Sequence, residues 1–487
     1  MLPSSGHGPS SPKGPPRIMR HTQGELSAAI VTARHVLGLD GAVVFAFLAR
    51  IVAILGSTGT VFLIARQLSQ VEQGYYYTLL SLVSLQTVFE MGFSFVIQQL
   101  AAHECIHLEL KADGSIHGDR VAHARLASAL QLSLRWYTVA ALAMGTVLAP
   151  MGMVFFGHHN GAAAGAVAWH GPWLTAVGLS AASLWCTPFY SFVEGCGQVR
   201  AVAAMRLAQA IAISVCAWIP MLLHHGLYSP TMAIMGYLAV GLFFLAMRRR
   251  LLMGLLRHPV RDGAIRWNRE VWPFQWRIAV SWICSYFTAQ IFIPILFALR
   301  GPVEAGQMSM SLSITGYMTV LALAWSSTKT TPFGRLIAQR DFLRLDRLFF
   351  RSLGQSLTVF VLVGLAACTC AVLLPVVAPS LALRIVSPQL FAVLVLSAGA
   401  NCVVQSLAIL LRSFKREPFL VQSVAVTILT LVLAGLTAPQ WGNAGAAFSY
   451  LFATAGIGLP VACFIFVRAR RAYLPPCALA PVGSEAG

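Results

Sequence analysis

The chain has 487 residues, of which 57% are hydrophobic and only 10% charged, and its formal net charge is +18. That balance excludes an ordinary soluble domain, in which roughly a quarter of the residues are charged. The positive charge has two competing meanings, nucleic acid or an anionic lipid surface, and the placement of the arginines decides between them.

The first 38 residues are rich in Pro, Gly and Ser and lack the short apolar core of a signal peptide. This predicts a disordered cytoplasmic tail over 1–38 and leaves membrane insertion to the first apolar run. Six runs follow: Gly41 to Ile64, Tyr75 to Leu100, Gln131 to Phe156, Trp173 to Val193, Ala201 to Leu223 and Tyr228 to Met247. After a break come Ile278 to Leu299, Ala305 to Ser326, Leu353 to Val377, Val386 to Leu411, Phe419 to Leu436 and Ala444 to Val467. Each is close to the roughly 20 residues that carry an α-helix across about 30 Å of hydrocarbon. Only a helix satisfies its own backbone in lipid as an open chain, so the fold class is all-α, a polytopic membrane protein of about twelve transmembrane helices.

Lysines and arginines gather in alternate gaps between these runs. One set of gaps, both termini included, holds nearly all of them; the other holds only Arg66, Arg300 and Arg384. Positively charged short loops stay in the cytoplasm, so both termini are expected there. We refer to the two sides as the arginine-rich and arginine-poor ends. This distribution accounts for most of the net charge, with anionic lipid head groups as counter-charge and no nucleic-acid partner.

The widest internal gap divides the spans six and six. The expected organisation is an N-lobe over 39–247, a basic cytoplasmic linker over 248–277, a C-lobe over 278–471 and a cytoplasmic tail over 472–487. A short repeat supports two parallel lobes: VEQG (Val71 to Gly74) and VEAG (Val303 to Gly306) each follow a lone arginine of the arginine-poor end. Tyr237 and Tyr450 also occupy similar places in the sixth and twelfth spans. In the basic gaps, Arg340, Arg344, Arg347 and Arg351 share one helical face, with Phe342, Leu345 and Phe349 opposite, which predicts a helix lying on the membrane surface. Leu251, Leu252, Leu255 and Leu256 give the Arg248 to Trp272 gap a similar character.

Several motifs bear on chemistry. HECIH (His103 to His107) matches the zinc-protease pattern H-E-x-x-H, yet it falls at a helix end without a third ligand, so an intramembrane metalloprotease is the weaker alternative. The ten cysteines lack C-x-x-C spacing and read as small buried hydrophobes. Nothing resembles a nucleotide-binding loop, and no cofactor or catalytic residue is expected.

Charged residues deep in spans point to function, because each is costly in lipid. Arg50 lies roughly 14 Å into the first span and Glu90 about 15 Å into the second, counted at 1.5 Å per residue. At equal depth on consecutive helices they form either a structural ion pair or a site in which Arg50 meets an anionic ligand while Glu90 holds it or exchanges a proton. Arg206, Gln290, Asn401 and Gln405 are further cavity candidates, and Arg135, Arg206 and Arg277 are near enough to a span end to snorkel. Gly56 and Gly59, with Ser57, Thr58 and Thr60, either loosen the first span or pack it closely.

The stretch Phe62 to Glu104 resembles the opening of bacterial polysaccharide flippases of the multidrug/oligosaccharidyl-lipid/polysaccharide exporter (MOP) superfamily. Trp272 to Trp282, Gly301 to Ile314 and the region around Arg416 to Leu420 are similar to later parts of such proteins. The resemblance implies two six-helix lobes around a central cavity and alternating access in the bacterial inner membrane. It implies a lipid-linked oligosaccharide as substrate, with glycosyltransferases and a polysaccharide polymerase as partners, and it gives Arg50 the role of holding a diphosphate. A drug or small-cation exporter of the same superfamily is the alternative, for which an acidic cavity is expected.

Overall fold

Long apolar runs become helices because the chain has no other way to satisfy its backbone in lipid, and the breaks between them fall where the sequence turns polar or glycyl. The computed structural model describes residues 41–105, 108–110, 116–159, 167–258, 265, 267–414 and 419–473. The expected N-terminal tail, the C-terminal tail beyond Tyr473, and His107 of the HECIH motif lie outside the described residues.

The first half begins with α1 (Gly41–Gln67). The second span is built from three pieces, α2 (Gln70–Val83), α3 (Gln86–Glu90) and α4 (Phe93–Glu104). A capping box starts α2: the Ser69 hydroxyl accepts from the Glu72 amide, and the Glu72 carboxylate accepts from the Ser69 amide. Met91 and Gly92, at φ +53° and +64°, break the span after Glu90 and bend it by 41°. A short antiparallel hairpin, β1 (Leu108–Leu110) and β2 (Ile116–Gly118), precedes α5 (Arg120–His159). Then come α6 (His170–Gly195), α7 (Val199–Leu222), α8 (Ser229–Met247) and the amphipathic α9 (Arg249–Arg257), which buries Leu251, Leu252 and Leu255.

The second half opens with a π-helical turn (Trp267–Val271) into α10 (Trp272–Gln290), followed by α11 (Phe292–Arg300), α12 (Pro302–Ser327) and α13 (Thr330–Ala338). It continues through α14 (Phe342–Val377), α15 (Pro379–Ala382), α16 (Pro388–Ser413) and α17 (Leu420–Leu451), then a second π-helical turn (Phe452–Gly458) and α18 (Leu459–Tyr473).

By length and apolarity ten helical stretches can cross a membrane, or eleven when the bent pair is one span. The expected twelfth passage is folded into the stretch Leu420–Arg471, whose 52 residues far exceed one crossing. Gly442 divides it: at φ +54° it interrupts α17, and it lies against Glu304 near the arginine-poor end, whereas Arg470 pairs with Asp346 near the basic start of α14. The chain therefore crosses twice between Leu420 and Arg471.

The expected surface helix over Arg335 to Arg351 is corrected. Arg340 takes φ +58°, and the Asp341 carboxylate accepts from the Arg344 amide to start a new helix, so the segment divides between α13 and the first turns of α14. Its facial pattern holds: Leu345 and Phe349 are buried against Phe333, Leu410 and Phe466, while Arg344, Arg347 and Arg351 are exposed. The small residues of the first span serve packing. A side chain at Gly56 would overlap Ser214, one at Gly59 would come within 2.8 Å of Trp218, and the Trp218 indole donates to Thr60 at 3.0 Å, so α1 lies directly on α7.

Helices pack mainly within their own half. In the first, α1 and α8 flank α7, while α5 and α4 meet α6; in the second, α12 packs on α14 and α16, and α10 and α11 on α17. The main seam between the halves is α2 against α12.

Candidate functional site

The seam is built from the repeated tetrapeptides. Gly74 and Gly306 bring the starts of α2 and α12 into backbone contact: a Cβ at Gly74 would overlap the Pro302 carbonyl, and one at Gly306 would sit 3.0 Å from the Gly74 amide. Gln73, 1% exposed, donates through Nε2 to the carbonyls of Gly306 and Arg384, each at 3.0 Å. Arg384 reaches back, donating to the Leu68 carbonyl at 2.5 Å and to Gln73 Oε1 at 3.2 Å. Burial among these groups pushes the Arg384 guanidinium below its usual range, although the Glu72 carboxylate favours its charge. Beneath this latch Phe297 of the second half packs among Tyr75, Phe155 and Phe156 of the first, edge-to-face with Tyr75 and Phe156, with ring centroids 5.0 to 5.6 Å apart. The arginine-poor end is thus closed by a polar clasp over an aromatic layer. Farther along, the Ser81 hydroxyl donates to the Gln290 carbonyl and Tyr286 to the Ser81 carbonyl, which places Gln290 on the seam.

Arg50 is exposed on α1, and its Nη1 donates to Ser327 Oγ at 3.0 Å. Ser327 is the last residue of α12, so this guanidinium bridges the two halves at the end of α12 opposite the clasp. It does not meet Glu90. The equal depths inferred from sequence say nothing about azimuth, and the two side chains face different spaces. Glu90 points into the first half beside the Ser94 and Tyr137 hydroxyls, with Tyr237 within its electrostatic reach. Arg206 is 56% exposed on α7, and its two terminal nitrogens meet the partly buried Glu194 carboxylate at 2.5 and 3.4 Å, a two-pronged ion pair. Gln209, 3% exposed, donates to the Tyr237 carbonyl.

In the second half a cavity of about 300 Å³ lies between α10, α16, α17 and the second π-helical turn. Asn401 and Gln405 line it, as do Thr288, Gln422, Ser423 and Thr454, with Arg412 at the end of α16. The six sequence candidates therefore fall in four places: Arg50 between the halves, Glu90 and Arg206 in the first, Gln290 on the seam, and Asn401 and Gln405 in the second-half cavity. Ser327, Tyr137 and Gln422 escaped the sequence reading, since an uncharged side chain in an apolar run gives little sign of what it faces.

The HECIH glutamate has a structural partner. Glu104, 6% exposed, accepts from Arg125 Nε at 2.9 Å, and Arg125 also donates to Glu270 at 2.7 Å. This triad joins the end of α4 and the start of α5 to the segment leading into α10. His103 is exposed, and no group of three or more metal-binding side chains occurs among the described residues. The cysteines among the described residues are free, and Cys186, Cys284 and Cys402 are buried as expected, while Cys370 and Cys463 are exposed.

No family model matches this chain, and no curated protein does. Solved structures do. An inward closed conformation of the lipid II flippase MurJ shares 12% identity over 89% of this chain and 90% of its own, at a TM-score of 0.56. An outward-facing multidrug resistance MATE transporter of the MOP superfamily shares 13% identity over 89% and 96%, at 0.53. A MOP-superfamily transporter from Pyrococcus furiosus, described as having a binding pocket of reverse polarity, shares 12% over 89% and 96%, at 0.51. The chain therefore has the fold of MOP-superfamily transporters and is a multi-pass membrane protein. At these identities the likeness extends to the fold alone, and function must be argued from the side chains.

Proposed function

We propose that this protein is a transporter that flips a lipid-linked oligosaccharide, a glycan on polyprenyl diphosphate, across the bacterial cytoplasmic membrane by alternating access. The observation that carries the reading is Arg50: an exposed guanidinium at the junction of the two halves, tied to Ser327 of the opposite half and to no carboxylate among the described residues. A charge in that position matches a diphosphate, which a guanidinium grips through two parallel hydrogen bonds. The clasp at the arginine-poor end fits the closed side of such a cycle, with the arginine-rich end facing the cytoplasm. The fold, shared with a lipid II flippase and with MATE transporters alike, accommodates this reading and leaves the choice of substrate to the side chains.

A second reading, export of drugs or small cations, draws on Glu90. A carboxylate among Tyr137 and Tyr237 suits a cation, and the MATE transporters share the fold. The two readings separate in proteoliposomes carrying a polyprenyl-diphosphate disaccharide. Flipping that is lost in Arg50→Ala and retained in Glu90→Gln supports the first reading. Efflux of a cationic dye that needs Glu90, without movement of the lipid, supports the second.

A further inference from the structure

The second-half cavity is polar where hydrocarbon would be expected. Its lining includes Thr288, Asn401, Gln405, Gln422, Ser423 and Thr454, with Arg412 and with no Asp or Glu among the described residues. Polar groups in a membrane interior are costly unless hydrogen-bonded, and one here lacks a partner. Gln422 is 6% exposed; its Nε2 donates to the Gly458 carbonyl at 2.5 Å, and its Oε1 is buried without a partner among the described residues. That stranded acceptor costs free energy that an incoming hydroxyl donor would return. The π-helical turn Phe452–Gly458 forms one wall, and such turns break the regular backbone ladder and often mark functional sites. At about 300 Å³ the cavity is at the lower end of the range of small-molecule sites.

Amides and hydroxyls without a carboxylate suit a neutral ligand with many hydroxyls. A cation would want fixed negative charge, and an isolated apolar group would leave Gln422 Oε1 unsatisfied. We propose that this cavity takes a sugar ring of the transported lipid, so that Arg50 reads the diphosphate while the second half reads the glycan. The proposal rests on the flippase reading above.

The test is binding to the full-length protein in nanodiscs. The probes are polyprenyl diphosphates carrying glucose, galactose or N-acetylglucosamine, together with the sugar-free diphosphate and the neutral polyprenol. At least one glycosylated lipid should bind about tenfold more tightly than the sugar-free diphosphate, equivalent to about 1.4 kcal/mol. Gln422→Met, which keeps length, and Thr288→Val, which keeps shape, should each erase that preference while leaving affinity for the sugar-free diphosphate unchanged. The proposal is overturned if no glycosylated lipid is preferred, or if the variants weaken both diphosphates equally or neither. In any of those cases diphosphate binding above the polyprenol leaves the flippase reading standing. Equal binding of diphosphate and polyprenol removes that reading, and this one with it.

Discussion

In the first half Glu90 lies among Ser94, Tyr137 and Tyr237, and the exposed Arg206 pairs with Glu194; the polar lining of the second-half cavity is instead amides and hydroxyls, with Arg412 at the end of α16 as its one cation among the described residues. A charge away from bulk water attracts other charges, whereas an amide accepts a neutral donor at little cost. Two halves of similar length thus present different chemistry to whatever passes between them. An amphiphilic substrate with a charged centre and a neutral polar part matches this division better than a uniform one.

The largest expected effect comes from forcing the halves apart. Gly74→Val places a side chain into the Pro302 carbonyl, so the clasp at the arginine-poor end cannot close; transport should be lost, while a cysteine introduced at Met310, 4% exposed against Gln73 of the clasp, becomes reactive to a membrane-impermeant thiol reagent. Wild-type transport with an unreactive cysteine there would show that the seam tolerates separation. Next in size, Arg50→Ala should reduce flipping by an amount equivalent to about 2–5 kcal/mol, the usual cost of truncating one member of a desolvated charge pair, with normal protein abundance. Arg50→Lys should recover part, because it keeps the charge and loses the two-pronged geometry.

Smaller and different in kind is the effect of Glu194→Gln. The Glu194 side chain is only 11% exposed and Arg206 loses its ionic partner, so the expected outcome is a slightly lower thermal stability of the purified protein and a modest fall in transport. An unchanged melting temperature would mean that the pair contributes no more than an exposed one. The smallest effect is expected at His103, whose exposed ring serves no site described above: His103→Ala should transport at the wild-type rate. Loss of activity together with a stoichiometric metal would revive the protease reading of HECIH.

The spans, their number and the arginine asymmetry were legible because hydrophobic length and loop charge act locally. Even the VEQG and VEAG repeat carried structural meaning, since both glycines meet at one seam. The contrast between halves was also visible: the runs read from Ile278 to Val467 contain no charged residue, whereas those before Met247 contain Arg50, Glu90, Arg135 and Arg206. What could not be read was azimuth. Depth along a helix follows from counting, but the face that Arg50 turns toward Ser327, and the break at Met91 and Gly92 beside Glu90, depend on packing between distant segments. For the same reason the surface helix was expected to be continuous, although Asp341 caps a new helix in its middle.

The most direct measurement follows two substrates through the same reconstituted protein: a fluorescent polyprenyl-diphosphate disaccharide and a quaternary ammonium dye. Movement of the lipid between leaflets, no movement of the dye, and loss of lipid movement in Arg50→Ala are the predicted results. Export of the dye without the lipid, or lipid flipping at the wild-type rate in Arg50→Ala, would contradict the account.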